Sequence, residues 1–342
     1  MQTRRATIMA FLLILPMAVF LLARRERQAY ALQVLSSPGC LDSMALALNN
    51  RGQVVGWCST ARVPIQAILW RNGAATKLGT PGGIRSHATG INDSGHVVGA
   101  ADTRAGVSHA VLWQQGQVRD LGTLGGRQSE ARAINLQEQV VGWAETAQGK
   151  HHAFLWQNGR MRDLGTLGGE RSEATAINNR GQVVGWAQGY GAIRHAFLWE
   201  HGRLRDLGTL GGLQSEAHAI NDQGRVVGYA ETRTLTRHAF RYENGVMADL
   251  DVRKELSEDS DANGINERGQ VVGLCSGLRV DGNNGADAAF CLRGDRLELL
   301  RRLLPKAPGY LLKSAAGIND RGEIAANAVS GTQSHALLLT PR

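Results

Sequence analysis

The chain repeats itself about every 43 residues, and no other feature constrains its fold as much. The phrase RDLGTLGG occupies residues 119–126, 162–169 and 205–212. A second phrase ends in asparagine and runs through a polar turn into, in most copies, Val-Val-Gly. It places Asn49, Asn92, Asn135, Asn178, Asn221, Asn266 and Asn319 at spacings of 43, 43, 43, 43, 45 and 53. A third phrase, fullest as His-Ala-Phe-Leu-Trp, starts at Gln66, His109, His152, His195, His238, Ala288 and His335. The second and third phrases each occur seven times. Such a period lies in the range of four-stranded propeller blades, about 40–50 residues.

One period, residues 172–209, reads as four short strands. SEATAIN is a first strand of small residues, and NNRG is a turn in which Asn178 accepts backbone hydrogen bonds. QVVGWA is a second strand, QGYGAIR a loop, and HAFLW a third strand. EHG is a tight turn whose counterparts include Asn72-Gly73, Asn158-Gly159 and Asn244-Gly245, a strong hairpin signal. RLRDLGTL is a fourth strand running into a glycine-rich link. After residue 31 no helical period is sustained. The ends are complementary: residues 30–37 align with a fourth strand and residues 335–339 with a third. The expected fold is therefore an all-β, seven-bladed propeller spanning residues 32–342, with the N-terminal strand completing the last blade. A β-solenoid has no reason to end in complementary partial units.

This fold accounts for the glycines. A phosphate-binding loop needs a following helix or a G-x-x-x-x-G-K-[ST] spacing, and GTLGG has neither. Glycine serves here where one blade turns into the next. The alanines at 131, 133, 174, 176, 217 and 219 suit inner strands crowded around an axis.

These phrases resemble the HAF-repeat family of extracellular bacterial repeat proteins. The resemblance rests on HAFLW at His152 and His195, HAVLW at His109 and HAFRY at His238, together with LGTLGG, AIN and VVGWA. It covers about residues 32–342, most clearly 66–245, and implies a secreted or surface-facing repeat protein without a catalytic motif. The first and last two blades depart from it, with Gln66 for His, AAFCL for HAFLW and IAANA for VVGWA.

The N-terminus fits export. Arg4 and Arg5 precede an apolar run at residues 6–23, and Ala29-Tyr30-Ala31 offers a cleavage site. RRER at residues 24–27 follows that run directly, so residues 1–31 read as a signal peptide or an uncleaved anchor, the only membrane contact expected. The net charge is +8, of which residues 1–31 contribute +4. Basic side chains elsewhere alternate with acids, which argues against a nucleic-acid partner. Four cysteines without a C-x-x-C spacing argue against zinc and, in an exported chain, for disulfides. The blade alignment favours Cys40–Cys58 and Cys275–Cys291.

Strand direction puts the glycine-rich links and the second-to-third loops on one face, where inner strands begin and function is expected. His87, Glu130, Glu173, Glu216 and Asp261 open successive inner strands there. They read as an acidic arc at the channel mouth, a seat for a cation or a hydroxyl-rich ligand, or as charges neutralised by Arg127, Arg132 and Arg171. The repeat histidines 109, 152, 195, 238 and 335 tempt one toward a metal. Sheets about 10 Å apart cannot share an ion through bonds of about 2 Å, so each is expected to bond the neighbouring link or a Ser or Glu of its own blade. Asp281, Asn283 and Asp287, in the longest second-to-third loop, are spaced for calcium or for an ordinary hairpin tip. Trp70, Trp113, Trp156 and Trp199 belong to apolar strands and are expected in the core, with sugar stacking as the alternative.

No nucleophile–base pair and no cofactor fingerprint recurs. The pattern favours an exported, non-enzymatic module that binds a protein or glycan of the cell envelope on its link face. The alternatives are a propeller hydrolase or lyase of extracellular polysaccharide using the acidic arc, and a structural envelope component.

Overall fold

The computed structural model describes residues 29–250, 259–280, 283–294, 296–304 and 309–342. They form seven four-stranded antiparallel sheets. Blade 4 shows the plan: Ser172–Ile177 innermost, then Val183–Gln188, Arg194–Glu200 and Arg203–Asp206 outermost. In the seventh sheet Leu311–Ile318, Ile324–Ser330 and Gln333–Pro341 are followed outward by Tyr30–Val34, in register from Tyr30 opposite Pro341 to Val34 opposite Leu337. Among the described residues the only helical segments are two single 3-10 turns, Tyr190–Ala192 and Leu300–Leu303.

Both faces of the sheets are covered, so the third strands are mostly apolar, as in Ala196–Trp199 of blade 4, with Arg241 of blade 5 an exception. In blade 4, Phe197 and Trp199 pack with Val141 and Leu155 of blade 3, while Ala196 and Leu198 pack with Val226 and Phe240 of blade 5. The core is thus a set of slabs between blades, and replacing one such buried phenylalanine with alanine costs about 3–5 kcal/mol. Trp70, Trp113, Trp156 and Trp199 are all buried in these slabs, as their strands predict.

Two glycine positions show what the repeat phrases are for. A Cβ on Gly185, the glycine of Val-Val-Gly, would strike the Glu173 carbonyl of the neighbouring inner strand. The inner strand carries a register shift in each blade, between Ala174 and Ala176 in blade 4. In the link, Gly168 has a φ of +105°, and a Cβ on Gly169 would lie 2.6 Å from Cβ of Gln188. The link therefore hugs the end of the second strand. In blades 2, 3 and 5 it is itself strand, so the inner strands there run Gly82–Ile91, Gly125–Ile134 and Gly211–Ile220, longer than the repeat phrase predicts.

Cys40 and Cys58 form a disulfide with Cα atoms 5.7 Å apart, tying the entry to blade 1 to its second strand. The expected Cys275–Cys291 bridge is absent. Cys275 pairs with Ala288 and Cys291 with Val272, three ladder positions apart, so the two side chains point to opposite faces. Cys275 packs between blades 5 and 6 and Cys291 between blades 6 and 7. Burial pushes both thiols up to about 11. Residues 1–28, which hold the apolar run at 6–23, lie outside the described residues; among the described residues no helix is long and apolar enough to cross a membrane.

Candidate functional site

The repeat histidines are structural, but their partner is not the one the alignment suggested. His109, His152, His195 and His238 bond through Nδ1 to Asp120, Asp163, Asp206 and Asp249 of their own outer strands, at 2.7–3.0 Å. The first three aspartates are the D of RDLGTLGG, and each also accepts from the N–H of the glycine two residues on, as in Gly165 to Asp163 at 2.7 Å. The repeat serine clamps between blades instead: Ser172 Oγ accepts from Ala153 N and donates to Gly165 O. His335 lacks the aspartate, because its outer neighbour is Tyr30–Val34, and it meets Tyr310 edge-on.

The axial channel opens at two mouths. At the turn face each repeat asparagine donates Nδ2 to the carbonyl of the next one, at 2.9–3.1 Å, all the way from Asn49 round to Asn319 and back to Asn49. Their Oδ1 atoms accept within their own turns, as Asn178 does from Arg180 N and Gln182 N. A second ring lies at Asn50, Asp93, Leu136, Asn179, Asp222, Glu267 and Asp320. Each polar member accepts from the backbone N–H of the preceding blade, except that Leu136 offers Asp93 no acceptor. Both rings are committed to holding blades together.

The link-face mouth is different. All five residues expected there lie along it, joined into two charged chains. His87 Nε2 is 2.9 Å from Glu130 Oε1, which also meets Arg132 Nη1 at 2.8 Å. Arg132 Nε then donates to Glu173 Oε1 at 2.6 Å. In the second chain Glu216 Oε1 accepts from Arg194 at 3.0 Å and Oε2 lies 4.0 Å from His218 Nε2. His218 Nδ1 in turn meets Asp261 Oδ1 at 2.9 Å. Of the arginines considered as neutralisers, only Arg132 pairs with the arc. Arg194 and His218 do the rest, and the repeat alone did not flag them. A strand's side chains alternate, so the residue two after each Glu shares its face. Arg132, Thr175 and His218 hold that place, which was the available signal.

Burial and neighbours divide these groups. Burial opposes charge on Glu130 and Glu216, but hydrogen bonds from His87 and His218 and the adjoining Arg132 and Arg194 hold both below the usual carboxylate range. Burial wins at Glu173 and raises it, Arg132 only partly compensating. Burial opposes the His218 charge too, but Asp261 and Glu216 raise it to about 10, so it is an imidazolium at neutral pH. Burial, aided by Arg171, pushes His151 down to about 4, so it is neutral.

A cavity of about 680 Å³ opens between blades 3, 4 and 5, lined among others by Glu173, Glu216, His218, His151, Arg171 and Arg194. The aromatic rings in and beside it are capped. The Arg194 guanidinium lies 4.3 Å from the Trp186 ring, Arg237 lies 4.8 Å from Tyr229, and the Trp143 and His151 rings are 3.7 Å apart. Blade 2 has Ala100 and Ser108 at these two places and blade 7 has Asn327 and Ser334. The cavity therefore belongs to three blades of a sevenfold frame. The calcium reading does not join it: Asp281 and the side chain of Asn283 lie outside the described residues, and Asp287 is exposed on Asn283–Arg293.

No protein-family model matches the chain, and no curated protein matches it. Among solved structures it is similar to puromycin hydrolase, with a TM-score of 0.56 and 15% identity over 90% of this chain and 55% of that one. An acylaminoacyl peptidase from Pyrococcus horikoshii gives 0.51 and 12% over 88% and 52%. This chain thus spans about half the length of those two proteins. A gluconolactonase from Xanthomonas campestris gives 0.42 and 9% over 92% of both chains. At these identities the likeness is one of fold.

Proposed function

We propose that the protein is an exported binding module that engages a glycan or protein of the cell envelope at the link-face mouth, without turning it over. The observation that carries this reading is the break in symmetry: a cavity of about 680 Å³ with charged and imidazole groups from blades 3–5, in a frame that otherwise repeats. A volume of this order suits a small ligand or a partner's side chain, since such sites run about 300–1,000 Å³. The Cys40–Cys58 disulfide supports an oxidising compartment, in keeping with the export reading of residues 1–31.

One observation favours the enzymatic alternative. Glu173 is raised and Glu216 lowered within the same cavity, the division of labour that an acid and a base need. One experiment separates the readings. Purified protein is screened against envelope material and a glycan panel, with retention and product release measured on the same samples. Saturable retention without products supports the module. Products that vanish in Glu173→Gln with folding intact would make it an enzyme. Neither signal would leave a structural envelope role.

A further inference from the structure

The link-face cavity contains more cationic capacity than its own carboxylates use. Its lining sets Arg132, Arg171, Arg194 and His218 against Glu145, Glu173 and Glu216. Glu173 is answered by Arg132, Glu216 by Arg194 and His218, and Glu145, beside His151, accepts from the Arg127 and Gln128 N–H groups through Oε2. Arg171 lines the same cavity, is exposed, and has no acidic partner among the described residues. It is held in place by its backbone, whose carbonyl accepts from Gln188 N at 2.8 Å and which bridges to His151. His151 is neutral here, so it offers an N–H without demanding a counter-ion. Arg194 is fixed from two sides, by Glu216 at 3.0 Å and by the Trp186 ring at 4.3 Å.

The remaining polar atoms have the opposite character. Glu173 binds Arg132 through Oε1, and Glu216 binds Arg194 through Oε1. The second Glu173 oxygen is an acceptor suited to a hydroxyl donor, and Glu216, which also meets His218 and Tyr229, has a lone pair left for one more. The indole of Trp186 is buried under Arg194, and the Trp143 ring is stacked with His151, so neither offers the open aromatic face on which neutral sugars stack. Recognition in this cavity is therefore polar: an anion for Arg171 and His151, hydroxyls for the two glutamates.

We propose that the cavity of blades 3–5 binds a uronic-acid sugar, its carboxylate seated on Arg171 beside His151 and Arg194 and its ring hydroxyls on Glu173 and Glu216. This rests on the link-face binding reading and names the class of ligand. A charge-assisted hydrogen bond is roughly twice as strong as a neutral one, so the carboxylate is the main source of discrimination.

The test uses the full chain and calorimetric titration with three probes: a galacturonate trimer, the same trimer fully methyl-esterified, and inorganic phosphate. The free acid should bind about tenfold or more tighter than the ester, and phosphate should not displace it. Arg171→Ala should bring acid and ester within about twofold while the melting temperature is unchanged, because this side chain has no partner to lose. Equal binding of acid and ester would overturn the uronate assignment and leave the glycan reading standing. Displacement by phosphate would overturn it in favour of a general oxyanion seat. An acid preference that survives Arg171→Ala would place the carboxylate elsewhere and overturn it too. Binding of neither trimer would overturn the uronate assignment, and the binding reading falls with it only if the envelope screen also shows no retention.

Discussion

The two mouths of one channel are built from the same seven inner strands and behave as opposites. At the turn face, seven asparagines repeat without exception and every Nδ2 is used up in binding the next blade. At the link face, the aligned position runs His87, Glu130, Glu173, Glu216 and Asp261, and Arg132, Thr175 and His218 sit two residues on. Uniformity marks the mouth that holds the ring together, and variation marks the one with chemistry to spare. The proposed function accordingly draws on the positions where the repeat varies, although repetition is what makes the molecule recognisable.

Four measurements would break or sharpen this contrast. The largest effect belongs to the frame that both mouths share. Gly185→Ala drives a Cβ into the Glu173 carbonyl, and overpacking against backbone there is expected to cost roughly 4 kcal/mol or more. Urea unfolding should show it, with ligand retention falling alongside; near-wild-type stability would mean the sheet yields more than its geometry suggests.

Next comes Asn178→Ala, which breaks the link to the Asn221 carbonyl, leaving it only Gly224 N, and orphans two N–H groups of its own turn. The expected loss is about 3 kcal/mol, with link-face binding per folded molecule unchanged. Coupled loss of binding would show that the mouths are not independent.

His218 gives the link face its own signature. Its pKa is raised from 6.5 to about 10 by Asp261 and Glu216, with Tyr229 edge-on to it at 5.8 Å. A raised folded-state pKa stabilises fully below the unfolded value and the benefit is lost as pH climbs through the folded one. Unfolding free energy should therefore fall between pH 6.5 and 10. The fall should exceed that of His218→Gln by on the order of 2 kcal/mol, allowing for screening at an open mouth. Parallel pH profiles would remove the charged chain from the account.

The smallest effect is a gain. Leu136 is the one member of the second turn-face ring without an acceptor, and it is 45% exposed. Leu136→Asn should supply the missing bond to Asp93 N and stabilise by about 0.5–1 kcal/mol. A loss would mean that the ring is not limited by hydrogen bonding at this blade.

Much of the fold was legible because each blade states its plan in local terms. Asn178 and Gly181 announce a turn, HAFLW an apolar strand with its tryptophan in the core, and GTLGG a link that passes close to its neighbour. The Cys40–Cys58 bridge was legible because both residues border one hairpin. The Cys275–Cys291 prediction failed because nearness along a hairpin does not settle which face a side chain takes, and three ladder positions put the sulfurs on opposite sides. The histidine partners were misassigned for a related reason. The aspartate stands eleven residues downstream, and only the pairing of third with outer strand brings it alongside.

By itself the sequence determined the number of blades, their four-stranded build and the small residues that let seven inner strands meet, because these follow from period, alternation and turn chemistry within each repeat. Tertiary structure decided which charges meet. Glu173 touches Arg132 of the previous blade, and His218 spans to Asp261 of the next. Those contacts depend on the angle at which blades pack around the axis, a quantity set by all the slabs together and written in no single repeat.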